Sequence, residues 1–180
     1  MILRRTETET ASTRANWTRE LLESQPEHEC EDLIHLASAI CGTPLGLVTL
    51  LDERSQWFRA SEMLKLRDTP REIAFCAHAV HQSDLFIVKD SFMDPRFGTN
   101  PLVTVEPAIR FYAGIALETS EGHPLGTLSV IDTMPRILTA EQQLTLQVRG
   151  LQIVVRGVRM MQPKALEQAL IEKERTEVGL

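Results

Sequence analysis

Cys76 and His78 place a thiol and an imidazole close together in the chain, and these are the side chains best suited to chemistry. Such groups can act as nucleophile and base, or hold a cofactor. Two residues apart on a helix, however, their side chains point about 200° from each other, which disfavours a working pair. We expect Cys76 to be a buried thiol and His78 a hydrogen-bonded structural residue. A redox or attachment role for Cys76, and ligand or haem contact for His78, stay open.

Metal chemistry has little support in the sequence. His78 and His81 have the i, i+3 spacing that metal sites sometimes use, but no carboxylate at matching spacing completes a site. The chain has three cysteines, an odd number, and they are widely spaced without a CxxC pair: Cys30, Cys41 and Cys76. We therefore expect reduced thiols and no metal site, and the sequence names no cofactor.

Charged residues of the 90–110 segment could bind a ligand or fold the loop. Arg110 precedes aromatic residues on a predicted interior strand, and a buried arginine needs a partner such as Asp94 or an anionic ligand. Asp94 and Arg96 could orient the loop through an ion pair, and Asp90 could cap a short helix after it.

Aromatic and hydroxyl side chains could form a pocket or fill the core. Thr127 and Ser129 share one strand face by the period-two rule, where their hydroxyls would serve as pocket donors or as local hydrogen-bond partners. The aromatic candidates are Trp57, Phe58, Phe75, Phe97, Phe111 and Tyr112.

Composition favours one domain in the cytoplasm. A length of 180 residues suits a single domain with end extensions, and 43% apolar residues suffice for a core. The net charge of −6 disfavours nucleic-acid binding. No apolar run is long enough for a membrane span, and the polar N-terminus does not resemble a secretory signal. We expect a disordered tail over 1–13, one domain over 14–162 and a helical extension over 163–180.

Hydrophobic periodicity predicts the elements that would position these side chains. The order helix, hairpin, helix, strand, long loop, hairpin, helix indicates an α+β fold with a mainly antiparallel sheet. The predicted helices are 15–22, 26–41, 73–81 and one starting at Thr139; the predicted strands are 45–51, 56–60, 85–88, 109–117 and 125–131.

Both terminal helices have start signals, and the last has an apolar seam. Ser24 to Glu27 and Thr139 to Gln142 have the pattern of capping boxes, and Pro163 should end the last helix. The seam steps by four and three, which predicts pairing with a second copy and with the first helix. Its residues are Leu144, Val148, Leu151, Val155 and Val158.

Several blocks of the chain, in order over about 27–160, resemble the GAF domain family as found in bacterial sensory proteins. The blocks are 41–44 (CGTP) leading into 47–52 (LVTLLD), 56–58 (QWF), 69–72 (TPRE), 74–80 (AFCAHAV), 94–97 (DPRF), 100–103 (NPLV), 109–114 (IRFYAG) and 125–132 (LGTLSVID).

The resemblance implies a GAF-like (profilin-like) antiparallel sheet of five to six strands, with the terminal helices packed on one face and a pocket in front. Such domains serve histidine kinases, diguanylate cyclases, phosphodiesterases or transcription activators. The motif of the family's cyclic-nucleotide binders needs Phe four residues before Asp-Glu, and Val48 stands there before Asp52. Its bilin binders attach the chromophore through Cys-His, whereas Ala77 separates Cys76 from His78.

Three hypotheses follow. The first is a sensory module, not an enzyme, that binds an unidentified small molecule and signals through its terminal helices to a downstream effector. The second is a ligand-free dimerisation module, and the third is a small enzyme using Cys76. The predicted ligand-binding residues are Phe58, Phe75, Cys76, His78, Asp94, Arg96, Arg110, Phe111, Tyr112 and Thr127.

Overall fold

A computed structural model describes residues 27–51, 56–60, 73–118, 122, 124–153 and 155. The predicted tail, the helix over 15–22 and the capping box that starts at Ser24 lie outside these residues. The same holds for Val158, Pro163 and the extension over 163–180.

Within the described ranges, the elements follow the predicted order. They are α1 (Glu27–Cys41), β1 (Leu45–Leu51), β2 (Gln56–Ala60), α2 (Phe75–Ala79), β3 (Phe86–Val88), α3 (Pro101–Thr104), β4 (Phe111–Glu118), β5 (Pro124–Asp132) and α4 over 140–153.

The sheet has five strands in the order β2-β1-β5-β4-β3, and every neighbouring pair is antiparallel. The two predicted hairpins, β1–β2 and β4–β5, are both present, and β1 also pairs with β5 at its centre. This α+β arrangement confirms the predicted fold class.

Helices α1 and α4 cover one face of the sheet, which we call the back face. On α1, Leu33, Ile34 and Ala37 are buried because their spacing places them on one side of the helix. Gly46 lets α1 approach β1 closely, since a Cβ there would lie 2.6 Å from Cγ2 of Ile34 and 2.8 Å from its carbonyl oxygen. The back-face core is one continuous apolar cluster.

The opposite, front face lies beneath α2 and the segment that joins β3 to β4. Its apolar cluster includes Phe75 and Ala79 from α2 and Phe97, Val103 and Ile109 from that segment. Backbone hydrogen bonds hold the segment against the sheet, among them Ser91 N to Arg110 O at 2.7 Å and Arg110 N to Asp132 O at 2.9 Å. The long predicted loop is thus ordered and contains only the short helix α3.

The capping box at the start of α4 is present as predicted. The backbone N–H of Gln142 donates to the Thr139 hydroxyl at 3.2 Å, and the N–H of Thr139 donates to the Gln142 side-chain oxygen at 2.9 Å. Gln142 also donates to the carbonyl of Ile40 at 3.0 Å, so the start of α4 is fixed to the end of α1.

Candidate functional site

Tyr112 lies along β4 on the front face because Gly114 carries no side chain. A Cβ on Gly114 would lie 2.5 Å from the Tyr112 hydroxyl and 2.8 Å from its ring. The register places Ser129 of β5 directly opposite Gly114. The phenol hydroxyl is therefore delivered to the centre of the sheet, next to the hydroxyl side chains of β5.

Four hydroxyl residues meet on this face, and we call Thr49, Tyr112, Thr127 and Ser129 the hydroxyl cluster. Thr49 and Thr127 are direct cross-strand partners between β1 and β5. All four side chains are buried, with exposure between 0% and 1%. Ser129 donates a long hydrogen bond to the carbonyl of Leu47 at 3.4 Å.

The other three hydroxyls, of Thr49, Tyr112 and Thr127, have no hydrogen-bond partner among the described residues. A buried polar group left unpaired costs about 1–3 kcal/mol, so three in one place are exceptional for a folded domain. Buried hydroxyls retained at this cost are typical of a place where another polar molecule is bound.

The electrostatics of the cluster keep it neutral. Burial raises the pKa of Tyr112 strongly and the neighbouring Cys76 raises it further, while the hydroxyls of Ser129 and Thr127 partly oppose the shift without forming a bond of normal geometry. The phenol therefore keeps its proton at all physiological pH values and can both donate and accept.

Stacked aromatic rings border the cluster. Phe75 stacks on Tyr112 with ring centroids 5.2 Å apart and on Phe97 at 4.4 Å. His78 is exposed, with its ring 5.0 Å from Phe97 and 6.2 Å from Phe86. The aromatic side chains thus pack against one another beneath α2, and Cys76 is a buried thiol as expected.

The charged candidates bind each other in the segment between β3 and β4. Arg110 donates two hydrogen bonds to Asp90, at 2.8 and 2.7 Å, and stacks over Phe92 at 5.4 Å. Its partner is Asp90 rather than the predicted Asp94, because β3 and β4 are adjacent and place both residues at one end of the sheet. The pKa of Asp90 is lowered, chiefly by its hydrogen bond from Arg110.

The predicted ion pair between Asp94 and Arg96 is present, with hydrogen bonds of 2.9 and 2.7 Å. The Arg96 guanidinium also lies over the rings of Phe86 and Phe97, at 5.0 and 5.3 Å. Asp90 accepts from the backbone N–H of Phe92 at 3.1 Å, in a turn rather than at the start of the predicted short helix. These pairs fold the segment and leave neither arginine uncompensated.

Not every predicted pocket residue faces the hydroxyl cluster. Phe111 belongs to the back-face core with 0% exposure, so its predicted place in a front pocket is wrong: neighbouring strand residues point to opposite faces, and Tyr112 takes the front. Phe58 occupies the register position opposite Thr49, and its side chain lies outside what the structure describes.

Thr49 and Gly114 are residues of the site that were not predicted from the sequence. The signal was available, because a threonine inside a strand predicted to be buried on both faces must place its hydroxyl in the interior. Gly114, directly after an aromatic-rich pair of residues, also marks a close approach, although its partner could not be identified without the register.

An open groove of about 410 Å³ lies beside β3, away from the hydroxyl cluster. Asp94 is the one predicted ligand-binding residue that lines it. Its lining residues are Ile87, Lys89, Asp90, Met93, Asp94 and Pro95.

The back surface carries the predicted helical seam. Leu144 and Leu151 on α4 are 60% and 64% exposed, and Val148 and Val155 are exposed as well. On α1, Leu36 and Ile40 are also exposed. No described helix is long and apolar enough to cross a membrane, and no group of three His, Cys, Asp or Glu side chains in the described ranges could hold a metal ion.

Two terminal helices cover the back face of a five-stranded antiparallel sheet, and the front face is covered around a polar centre, which defines a small α+β module. The sequence profile of the GAF domain matches residues 25–156. The chain therefore belongs to the GAF domain family, which is typically sensory and regulatory.

A relative of known identity matches most of the chain. A cyclic di-GMP phosphodiesterase of Pseudomonas aeruginosa is 45% identical over 126 residues, which are 70% of this chain and 22% of the relative. The chain thus spans about a fifth of the length of that relative.

Solved GAF domains share the fold at low sequence identity. That of an Acinetobacter phosphoenolpyruvate-protein phosphotransferase superposes with a TM-score of 0.60 at 12% identity, covering 86% of this chain and 96% of that one. That of the cyanobacteriochrome TePixJ gives a TM-score of 0.58 at 14% identity, covering 77% and 92%.

Proposed function

We propose that this domain is a cytoplasmic, non-catalytic sensor that binds a small polar molecule against the front face and signals through α1 and α4. The observation that carries the proposal is the set of three buried hydroxyls, of Thr49, Tyr112 and Thr127, without partners among the described residues. A bound molecule that satisfies them would offset their desolvation and stabilise the folded domain.

The same strands connect the two faces. Thr49 and Thr127 face front, while Val48 and Leu128 beside them belong to the core under the terminal helices. A ligand that prefers one arrangement of β1 and β5 would therefore shift α1 and α4, because these helices pack directly on the same strands. The coupling equals the difference in its affinity for the two arrangements.

Thermal unfolding across a panel of small metabolites tests the binding proposal. We expect at least one compound to raise the melting temperature, and the rise to disappear in Tyr112→Phe, which removes one hydroxyl and keeps the ring. Thr145→Val is the control, since its hydroxyl serves only the carbonyl of Glu141 on exposed helix α4. No response to any compound, or an equal response in Tyr112→Phe, would count against the proposal.

We also propose self-association through the seam formed by Leu144, Val148, Leu151 and Val155 together with Leu36 and Ile40. The favouring observation is that all six large apolar side chains are exposed, four of them at heptad spacing along α4 and two on the neighbouring α1. A second copy related by a two-fold axis would bury them against an identical surface. A sensor of this kind could transmit its signal by changing the angle between paired helices.

Light scattering during size-exclusion chromatography tests this association. We expect a dimer for the natural chain and a monomer for Leu151→Lys, with the same far-UV circular dichroism. Ile137→Lys is the control, because Ile137 is 78% exposed in the loop before α4, outside the seam. A natural chain that stays monomeric at high concentration would exclude this proposal.

Finally, we propose an effector of cyclic di-GMP turnover as the signalling partner, because the Pseudomonas aeruginosa relative is a cyclic di-GMP phosphodiesterase. A chimera in which this chain replaces the matching 126-residue segment of that enzyme provides the test. We expect its phosphodiesterase activity to respond to the compound that raises the melting temperature of this chain. An active chimera that ignores the compound would reject the pairing.

A further inference from the structure

We propose that the front-face ligand is an uncharged molecule presenting a carboxamide-type group, a donor beside an acceptor, to the hydroxyl cluster. This inference rests on the proposed sensor function and names the chemical class of its ligand. It departs from the expectation that Arg110 recognises a negatively charged ligand.

The hydroxyl residues match a group that both donates and accepts. Each of Thr49, Tyr112 and Thr127 has one O–H donor and lone pairs that accept, and none is committed to a partner among the described residues. A carboxamide or a cyclic imide offers N–H and C=O side by side, so it can satisfy more than one hydroxyl at once. A carboxylate only accepts and an ammonium only donates, which would leave part of this capacity unused.

An anion would be poorly compensated at this place. The hydroxyl cluster is 0–1% exposed, and a charge brought there loses its hydration. The two arginines predicted to serve a ligand, Arg96 and Arg110, each bind a carboxylate through two hydrogen bonds. An anionic ligand would therefore have to compete with Asp94 or Asp90 for either guanidinium.

The properties of the Tyr112 phenol also favour an uncharged ligand. Burial and the nearby Cys76 hold the pKa of Tyr112 far above its usual range, so the group stays neutral and keeps its donor hydrogen. Gly114 fixes the hydroxyl over the centre of the sheet, where Ser129 lies opposite. The surroundings described here supply dipoles and no fixed charge, as suits a neutral polar ligand.

Matched compound pairs test the charge selectivity in the full chain. The probes are nicotinamide with nicotinate, pyrazinamide with pyrazinoate, and uracil with orotate, each followed by thermal shift and titration calorimetry. We expect at least one neutral member to bind, and its anionic counterpart to bind about tenfold more weakly or not at all.

Three threonine variants test the role of the hydroxyl cluster. Thr127→Val and Thr49→Val remove unpaired hydroxyls without changing shape, so we expect the ligand-free melting temperature to rise by about 2–4 °C while affinity for the neutral probe falls about tenfold or more. Thr43→Val is the matched control, because that buried hydroxyl lies 3.4 Å from the Ser38 carbonyl and 3.3 Å from that of Leu45. It should lower the melting temperature and leave affinity unchanged.

The outcomes separate this inference from the sensor proposal. Preferred binding of the anionic members, or neutral binding that Thr127→Val and Thr49→Val leave intact, overturns the assigned ligand class while the sensor function stands. A lower ligand-free melting temperature in both variants also overturns it, because the hydroxyls would then be satisfied within the chain. No binding by any member of the pairs overturns the assigned ligand class, and the response to the wider metabolite panel then decides the sensor function.

Discussion

The burial of Cys76 and its position beside Tyr112 favour a structural role for this thiol. The side chain is 4% exposed and lies close enough to Tyr112 to influence its titration. A reactive cysteine needs an accessible thiolate, and burial removes Cys76 from solvent. The enzymatic alternative raised by the sequence therefore gains no support from its position.

Replacing Cys76 by serine should leave ligand binding intact. We expect Cys76→Ser to lower the free energy of unfolding by about 1 kcal/mol, since a buried site receives a more polar group. The ligand-induced rise in melting temperature should persist. Cys41→Ser is the control, because Cys41 is a second buried thiol whose pKa burial raises to about 11. Complete loss of the ligand response in a folded Cys76→Ser protein would restore a chemical role for the thiol.

The Asp90–Arg110 ion pair makes stability depend on pH. Because the pKa of Asp90 is lowered in the folded state from its ordinary value of 3.8, mainly by its hydrogen bond from Arg110, the pair stabilises the fold above that value. Its contribution falls as the pH drops through the lower, folded-state pKa. We expect Asp90→Asn to melt at a lower temperature than the natural chain at pH 7.

As the pH falls below the ordinary value of 3.8 and through the lower, folded-state pKa of Asp90, this difference should shrink, because the natural Asp90 is then increasingly protonated as well. Thermal unfolding of both proteins from strongly acidic to neutral pH provides the measurement. A difference in melting temperature that stays constant over the whole range would show that the substitution acts through packing rather than charge.

How much of the site could be predicted differs from residue to residue. Residue type and strand period identify Thr127 and Tyr112, and the structure brings both to the front face. The prediction for Phe111 is wrong about its face, since a run of aromatic residues does not show which member points forward. The Asp90–Arg110 pair depends on which strands are neighbours, and local sequence carries no information on that point.

At the level of elements, helix α4 shows how a local signal fixes a boundary. The reciprocal hydrogen bonds of Thr139 and Gln142 satisfy free N–H groups at its start. This boundary was predictable because a capping box is decided within four residues. The strand order β2-β1-β5-β4-β3 was not, since the pairing of β1 with β5 joins distant parts of the chain.

Removing the cap should weaken the domain measurably. We expect Thr139→Ala to reduce the free energy of unfolding by about 1 kcal/mol, because one helix N–H loses its acceptor. Urea denaturation followed by circular dichroism measures the change. Thr145→Ala in the same helix should have little effect. The Thr145 hydroxyl donates to the carbonyl of Glu141, one turn earlier, at an exposed position. Equal losses in the two variants would contradict the assigned capping role.

At the scale of the whole molecule, the two faces of the sheet differ in chemistry. The back face presents an apolar core to α1 and α4, whose outer surface carries the exposed seam. The front face places neutral hydroxyls at its centre, with stacked aromatic rings beside them. Since β1 and β5 contribute to both faces, the proposed ligand in front would influence the helices behind without a long relay of contacts.

A crystal structure of the chain, grown with the neutral probe that binds most tightly, tests the front-face site most directly. We predict density for the probe within hydrogen-bond distance of at least two of the Thr49, Tyr112 and Thr127 hydroxyls. If those hydroxyls bond only to water or to one another, with the probe elsewhere on the surface, the front face is not the sensing site.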